Sequence, residues 1–209
     1  MRNTKFWNKE GVQKVFTHPI CSEWVERLDR RSSVLDLGCG YGRLTPLLKR
    51  RGFLNIFGYD SSAPMIERAI RENPGATYTS RAELLSGKSF DLIICFALFT
   101  SCPDPDEQTG LVALINELSK ENGLLYISDY ETQDNLNYCS RYEQRILNLY
   151  GCFSSENAVF RHHEHGHFDH LMSGWARLEE RSLSCKTLTG NNIVVHQYLY
   201  EKVNACIVI

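Results

Sequence analysis

Short apolar runs alternate with amphipathic stretches from the start of this 209-residue chain to about residue 130. The apolar runs have the length of buried parallel strands, and they predict strands at 34–37, 55–60, 76–80, 90–96 and 124–128. The stretches between them predict helices at 44–51, 63–72 and 106–120. This alternation predicts an α/β fold, in which a parallel sheet carries helices on both faces.

The two ends of the chain have different patterns. Apolar side chains recur at every fourth position at Ile20, Trp24 and Leu28, which predicts helix up to about Arg31. Residues 135–150 and 168–175 also have a helical pattern. Two β-rich runs at 176–188 and 193–200 flank Thr189-Gly190-Asn191-Asn192 and predict a hairpin that closes the sheet.

Composition narrows the function classes. Hydrophobic residues make up 43% and charged residues 23% of the chain, and the net charge of −2 gives no basis for wholesale nucleic-acid binding. No segment approaches the roughly 20 apolar residues of a membrane helix, and the polar start lacks a signal-peptide core. We therefore expect one cytoplasmic domain over 1–209. The eight cysteines show no CxxC spacing, so we expect free thiols and no metal.

A glycine-rich loop follows the first predicted strand. It reads Asp36-Leu37-Gly38-Cys39-Gly40-Tyr41-Gly42-Arg43 and opens a predicted helix, as a ligand-cradling loop does. Arg43 occupies the position of the third glycine in a dinucleotide-binding loop, and no Gly-Lys-Ser/Thr follows for a phosphate-binding loop. Asp60 ends the second strand, where a carboxylate can accept hydrogen bonds from ribose hydroxyls.

Four segments, VLDLGCGYGR, GYDSSAPMIERA, FDLIICFALFTSC and NGLLYISDY, resemble the motifs of class I S-adenosylmethionine (SAM) dependent methyltransferases in order and spacing. The resemblance implies a Rossmann-like doubly wound seven-stranded sheet, mostly parallel with a C-terminal antiparallel hairpin, and SAM as the cofactor. It also implies a set of cofactor-binding residues: Asp36, Gly38, Cys39, Gly40 and Gly42 at the methionine part, Asp60, Ser61 and Met65 at the ribose, Arg81 and Ala82 at the adenine, and Phe96 at the methyl-donor face.

The acceptor side has a weaker signal. By resemblance, residues 1–30 form a helical lid and residues 131–175 an acceptor-side insertion. Four residues are candidates for a general base, which is needed only if the acceptor atom carries a proton: His18, Asp129, Tyr142 and His162. Arg141 and Arg161 would suit a carboxylate on the acceptor. The histidines at 162, 163, 165, 167 and 170 lack the spacing of a metal site.

We expect methyl transfer to N, O or S of a small-molecule acceptor. The alternatives are a SAM-using enzyme that cyclises or transfers the aminobutyrate arm, a protein methyltransferase, and a non-catalytic SAM-binding subunit. Phe96-Ala97-Leu98-Phe99 replaces the polar-Pro-Pro-aromatic motif of many nucleic-acid methyltransferases, so we expect no nucleic-acid partner. The last residues, Cys206-Ile207-Val208-Ile209, fit a C-a-a-X prenylation box, although no polybasic stretch precedes them.

Overall fold

A computed structural model of the protein describes residues 3–186 and 192–203. Within these residues the helices are α1 Thr4–Lys9, α2 Ser22–Glu26, α3 Thr45–Arg50, α4 Ala63–Glu72, α5 Leu98–Ser101, α6 Pro105–Leu118, α7 Leu136–Tyr142 and α8 His167–Leu171. The strands are β1 Ser33–Leu37, β2 Asn55–Tyr59, β3 Thr77–Thr79, β4 Phe90–Phe96, β5 Ser119–Asp129, β6 Cys152–Ser155, β7 Ala158–Arg161, β8 Trp175–Lys186 and β9 Asn192–Lys202.

Seven of these strands form one sheet in the order β3-β2-β1-β4-β5-β9-β8. The first five are parallel to their neighbours, whereas β9 runs antiparallel to both β5 and β8. The strand order reverses between β1 and β4, and ligands bind at such a switch point beyond the carboxyl ends of the strands. The predicted α/β sheet with its antiparallel pair is confirmed. The predicted turn lies outside the described residues except for Asn192.

Capping residues fix where the helices beside this edge begin. The Ser62 hydroxyl accepts a hydrogen bond from the backbone N–H of Met65 at 3.4 Å, and Pro64 lies in the first turn of α4. The Asp104 carboxylate caps α6 in the same way, at 3.0 Å from the N–H of Asp106. Helix α6 packs Leu111, Ile115 and Leu118 against the sheet, whose central strands are buried on both faces, and α4 contacts β3.

The prediction of helix up to Arg31 is wrong. The N-terminal region contains α1, a 3₁₀ turn at Gly11–Gln13 and α2, and residues 14–21 between them form no helix. Pro19 explains part of the difference, because the residue before a proline is driven out of the helical region. The result is an irregular strap, residues 14–21, that crosses the carboxyl edge of the sheet.

The prediction of helix over 135–150 is also wrong beyond Tyr142. The chain turns through a 3₁₀ segment at Ile146–Asn148, where Arg145, Leu147 and Asn148 have positive φ angles. A two-stranded sheet of β6 and β7 follows, with Glu156 and Asn157 in its turn. The helix predicted at 168–175 is shorter and begins at His167, and Trp175 already belongs to β8.

None of the helices within the described residues is long and apolar enough to cross a membrane. The seven cysteines among those residues form no disulfide bond. The C-a-a-X sequence from Cys206 lies outside the described residues.

Candidate functional site

A cavity lies at the carboxyl ends of β1, β2 and β4, and we call it cavity A. Most of the predicted cofactor-binding residues line it, namely Asp36, Gly38, Cys39, Gly40, Asp60, Ser61, Met65 and Phe96. The N-terminal region adds Trp7, Phe16 and His18 to its wall, together with Asn3. The glycine loop, the acid after β2 and the end of β4 therefore meet in one place.

Asp60 ties the glycine loop to the start of α4. One carboxylate oxygen accepts from the backbone N–H of Gly40 and the other from the backbone N–H of Ser62, each at 2.9 Å. Burial raises the pKa of Asp60, and these two N–H groups oppose that rise. Each oxygen keeps a further lone pair for a ligand. Asp60 can therefore hold the loop and accept hydrogen bonds from a ligand at once.

The three loop glycines have different neighbours, although all three have positive φ angles. Gly38 and Gly40 line cavity A, and a Cβ atom added to Gly40 would have Phe16 as its nearest neighbour, at an ordinary 3.7 Å. Gly42 does not line cavity A, and an added Cβ would overlap the Tyr78 hydroxyl. Gly42 was expected at the methionine part of SAM. The structure places it instead against Tyr78 of β3, where the backbone approaches too closely to leave room for a side chain.

Asp36 brings a second carboxylate to cavity A. Its side chain is only 3% exposed, and burial raises its pKa to about 7, with Asp60 adding to the rise and Arg43 opposing it. The Arg43 guanidinium donates to the carbonyl oxygen of His18 at 2.7 Å and lies over the Phe96 ring. Two carboxylates against one guanidinium give the lining a preference for a positively charged ligand.

Arg81 and Ala82, expected beside an adenine ring, do not line cavity A. Both residues are exposed, at the start of a 3₁₀ turn that follows β3. The Arg81 backbone N–H bonds to the Thr79 hydroxyl at 3.0 Å, which fixes the local turn.

A second cavity, which we call cavity B, adjoins cavity A. The two share Trp7, Phe16, His18, Ala97 and Ser101 as common wall. Beyond this wall, cavity B is lined largely by aromatic side chains: Phe6, Tyr130, Tyr138, Phe153, Phe160 and His162. Its charged lining residues are Lys14, Arg141 and Glu156.

Ala97 marks the point where the two cavities meet. It has a φ angle of 52°, a left-handed conformation that is strained for a residue with a Cβ atom. Its backbone N–H donates to the carbonyl oxygen of Ser128 at 2.8 Å, so the pairing of β4 with β5 holds it there. Strain of this kind is concentrated at functional sites.

His18 lies in the common wall, buried and hydrogen-bonded on both ring nitrogens. Nε2 is 2.5 Å from the Tyr130 hydroxyl, and Nδ1 is 3.3 Å from the Ser128 hydroxyl. Burial, reinforced by Arg43, lowers the pKa of His18 to about 4, so the ring is neutral near pH 7. In the tautomer that carries the proton on Nδ1, this nitrogen donates to Ser128. Nε2 then accepts from Tyr130.

His162 also lines cavity B, with Tyr142 behind it. The Tyr142 hydroxyl accepts from the backbone N–H of Gln133 at 2.9 Å and lies 2.7 Å from Nδ1 of His162. Tyr142 is fully buried and lines neither cavity. Burial and the charge of Arg141 lower the pKa of His162 to about 3. Tyr142 is therefore placed to orient His162, not to touch a ligand.

Asp129 lies in neither cavity. Its carboxylate accepts from the backbone N–H groups of Phe99, Thr100 and Tyr130, and from the Thr100 hydroxyl. Burial raises its pKa to about 6, and these donors oppose the rise. Asp129 is therefore placed to hold α5, which follows Ala97, and not to act as a base on a ligand.

Three other histidines of this segment bond to protein side chains. His163 Nε2 lies 2.9 Å from Nε2 of Gln108, His167 donates to the other end of the same amide, and His165 contacts Glu131. Within residues 3–186 and 192–203, no three His, Cys, Asp or Glu side chains are arranged to hold a metal ion. Arg161, expected near an acceptor, lines neither cavity.

Several lining residues of cavity B were not among the predicted site residues. Tyr130 and Tyr138 follow β5 in a segment unusually rich in aromatic residues, and that richness was the available signal. Lys14 and Glu156 form an ion pair between the strap and the turn from β6 to β7. No local pattern relates these two positions, which are far apart in sequence.

Comparison with known proteins agrees with this geometry. A family model described as a methyltransferase domain matches residues 13–176. A ubiquinone biosynthesis O-methyltransferase of Neisseria meningitidis is 28% identical over 137 residues, 59% of this chain and 56% of that protein. A ribosomal protein L11 methyltransferase of Paraburkholderia phymatum is 28% identical over 156 residues, 71% of this chain and 47% of that protein. The chain thus spans about half the length of these curated relatives.

A solved structure of a SAM-dependent methyltransferase from Methanosarcina mazei has the same fold. It superposes with a TM-score of 0.80 at 22% identity, covering 89% of this chain and 99% of that one. Because the family model spans well over half of the chain, the protein belongs to the methyltransferase domain family, and it shares the fold of this SAM-dependent methyltransferase.

Proposed function

We propose that the protein transfers a methyl group from SAM in cavity A to a small, planar, hydroxyl-bearing acceptor in cavity B. The observation that carries this proposal is the common wall, because ligands in the two cavities would meet at His18 and Ala97. Methyl transfer is an in-line displacement that depends mainly on bringing donor and acceptor into contact and alignment.

The residues of cavity A suit SAM. Gly38 and Gly40 let the backbone approach a ligand, and Asp60 has lone pairs free for ribose hydroxyls. Asp36 adds a buried carboxylate that accepts no hydrogen bond within the described residues and is suited to a cationic ligand. When bound, SAM supplies an electrophilic methyl group on a sulfonium.

The shape and lining of cavity B favour a small molecule. Aromatic side chains surround it, and the strap and α1 cover one side. The curated relatives name both a small-molecule and a protein methylation pathway, so they do not choose between these acceptors. We assign residues 1–30 as the lid and 131–175 as the acceptor-side insertion, because these segments supply most of the lining of cavity B.

The pair of His18 and Tyr130 suits a proton-bearing acceptor atom. With Nδ1 of His18 protonated, the Tyr130 phenol donates to Nε2 and keeps oxygen lone pairs for a hydroxyl in cavity B. Tyr130 can then accept the acceptor proton as its own proton passes to His18. This arrangement favours oxygen as the methylated atom. The centre of the His162 ring is 5.0 Å from that of Tyr130, so His162 can orient the acceptor.

Calorimetric titration with SAM and S-adenosylhomocysteine (SAH) tests the cofactor part of this proposal, with micromolar binding of both expected. Incubation with SAM and a panel of hydroxylated aromatic compounds tests the reaction. Formation of SAH with a methylated acceptor supports methyl transfer, whereas methylthioadenosine would indicate the cyclising alternative. Failure to bind either nucleoside would reject SAM as the ligand of cavity A in the isolated chain. A cytoplasmic location and the absence of a nucleic-acid partner stay predictions.

A further inference from the structure

We propose that the acceptor is an aromatic carboxylate and that Arg141 binds its carboxylate group. The inference rests on the proposed function, in which cavity B holds the acceptor. It identifies the chemical class of that acceptor and a specificity-determining residue in α7.

The charges that line cavity B leave one cation uncompensated. Lys14 is ion-paired with Glu156, so these two charges cancel. His18 and His162 are neutral near pH 7, because burial holds the pKa of each ring at about 4 or below. Arg141 forms no salt bridge with a described residue, and an arginine side chain carries a positive charge at neutral pH. A monoanionic ligand would balance this charge.

The position of Arg141 leaves its donors available. Its guanidinium carbon lies 5.4 Å from the centre of the Tyr138 ring and 5.8 Å from the centre of the Phe153 ring. These contacts use the faces of the aromatic rings, whereas the N–H donors of arginine point outward in the guanidinium plane. A guanidinium held in this way matches the two oxygens of a carboxylate. Arg141 is half-buried, so a hydrogen bond to it is weakened less by water than one at the surface.

Aromatic rings connect Arg141 to the candidate base. The centre of the His162 ring is 5.0 Å from that of Tyr138 and also 5.0 Å from that of Tyr130. The Tyr130 ring is in turn 4.7 Å from the His18 ring. An aromatic acid that lies against this row of rings would place its carboxylate at Arg141 and its hydroxyl group at Tyr130. Aromatic pairs favour such contacts beyond simple area burial.

The test measures binding of two hydroxylated aromatic acids, 4-hydroxybenzoate and 6-hydroxy-2-naphthoate, beside their uncharged carboxamides. Each is titrated into the full chain with and without saturating SAH. We expect at least one acid to bind tenfold or more tightly than its carboxamide. Arg141→Gln should remove that preference, and Arg141→Lys should restore part of it.

Arg145→Gln is the matched control, because the Arg145 guanidinium also lies over a tyrosine ring, that of Tyr150, but outside cavity B. It should leave the preference for the acid unchanged. Equal affinity for acid and carboxamide, binding of neither acid at millimolar concentration, or an unchanged preference in Arg141→Gln would overturn the inference. If SAH binds in those cases, the proposed function stands, whereas loss of SAH binding would reject the proposed function itself.

Discussion

The Nε2 atom of His18 lies 2.5 Å from the phenolic oxygen of Tyr130, and His18 lines both cavities while Tyr130 lines only cavity B. We expect Tyr130→Phe to lower kcat for a hydroxylated acceptor by at least about 100-fold, the scale of general base catalysis. The affinity for SAH should not change. Tyr150→Phe, which alters a tyrosine outside both cavities, is the control. An unchanged kcat in Tyr130→Phe would remove this residue from the reaction.

The lowered pKa of His18 predicts that kcat does not follow the titration of an ordinary histidine. Because the pKa is lowered to about 4, the ring stays neutral from pH 8 to pH 6. At saturating SAM and acceptor, kcat should therefore show no fall with a midpoint near 6.5, the ordinary histidine value. A fall centred there in the wild type, lost in His18→Asn, would contradict the buried neutral state of His18.

Asp36 should make cofactor affinity depend on pH. Its carboxyl group has a pKa of about 7 in the free protein, and a cationic ligand in cavity A favours the ionised form. SAM affinity should therefore weaken as the pH falls below about 7 and level off above it. Calorimetry at pH 6, 7 and 8 measures this, and Asp36→Asn should flatten the profile.

The same residue lowers the stability of the free protein. The raised pKa means that the native state binds the Asp36 proton more tightly than the unfolded state does. The protonated carboxyl group therefore favours folding at low pH, and this stabilisation is lost as the pH rises from about 4 to 7. Asp36→Asn should raise Tm at pH 8 while weakening SAM binding. A lower Tm in this variant would show that the ionised carboxylate is stabilised in the native state.

Gly40 and Gly42 should respond differently to added side chains. Gly40→Val places its side chain in cavity A and should abolish SAH binding, with a loss of about 1–2 kcal/mol in stability from its positive φ angle. Gly42→Ala meets the Tyr78 hydroxyl and should lower stability more. Thermal melts and SAH titrations of both variants separate these effects. Equal melting temperatures would contradict the different surroundings of the two glycines.

Asp60→Ala should weaken SAH binding by tenfold or more, because it removes both the acceptor for the Gly40 N–H and the group suited to ribose. Asp104→Ala is a matched control, since Asp104 also accepts from a backbone N–H but lines neither cavity. It should lower stability by about 1 kcal/mol and leave SAH affinity unchanged. Wild-type affinity in Asp60→Ala would refute the assignment of Asp60 to the cofactor.

Local signals account for the parts of the fold that were predicted well. The bounds of α4 and β4 match the prediction, because Ser62 caps the helix and the strand is an uninterrupted apolar run. The turns after α7 were missed because Arg145 and Leu147 adopt positive φ angles that neither residue type signals. Tertiary packing, not local preference, holds them there.

The candidate site also has a part that the sequence predicted and a part that it did not. The spacing of the glycine loop and Asp60 after two neighbouring strands predicted that they lie together, and Gly38, Gly40 and Asp60 do line cavity A. Their role in nucleoside binding stays a prediction. Cavity B depends on contacts between distant segments, such as His18 with Tyr130 and Lys14 with Glu156. Sequence therefore indicated Asp129 and Tyr142 as candidate bases by residue type alone, whereas the structure places both outside the two cavities.

Under the proposed function, cofactor and acceptor would both contact Trp7, Phe16, His18, Ala97 and Ser101, and we therefore expect the two binding equilibria to be coupled. By thermodynamic linkage, any factor by which the cofactor changes affinity for the acceptor is the factor by which the acceptor changes affinity for the cofactor. We therefore expect the measured affinity for either ligand to depend on the concentration of the other.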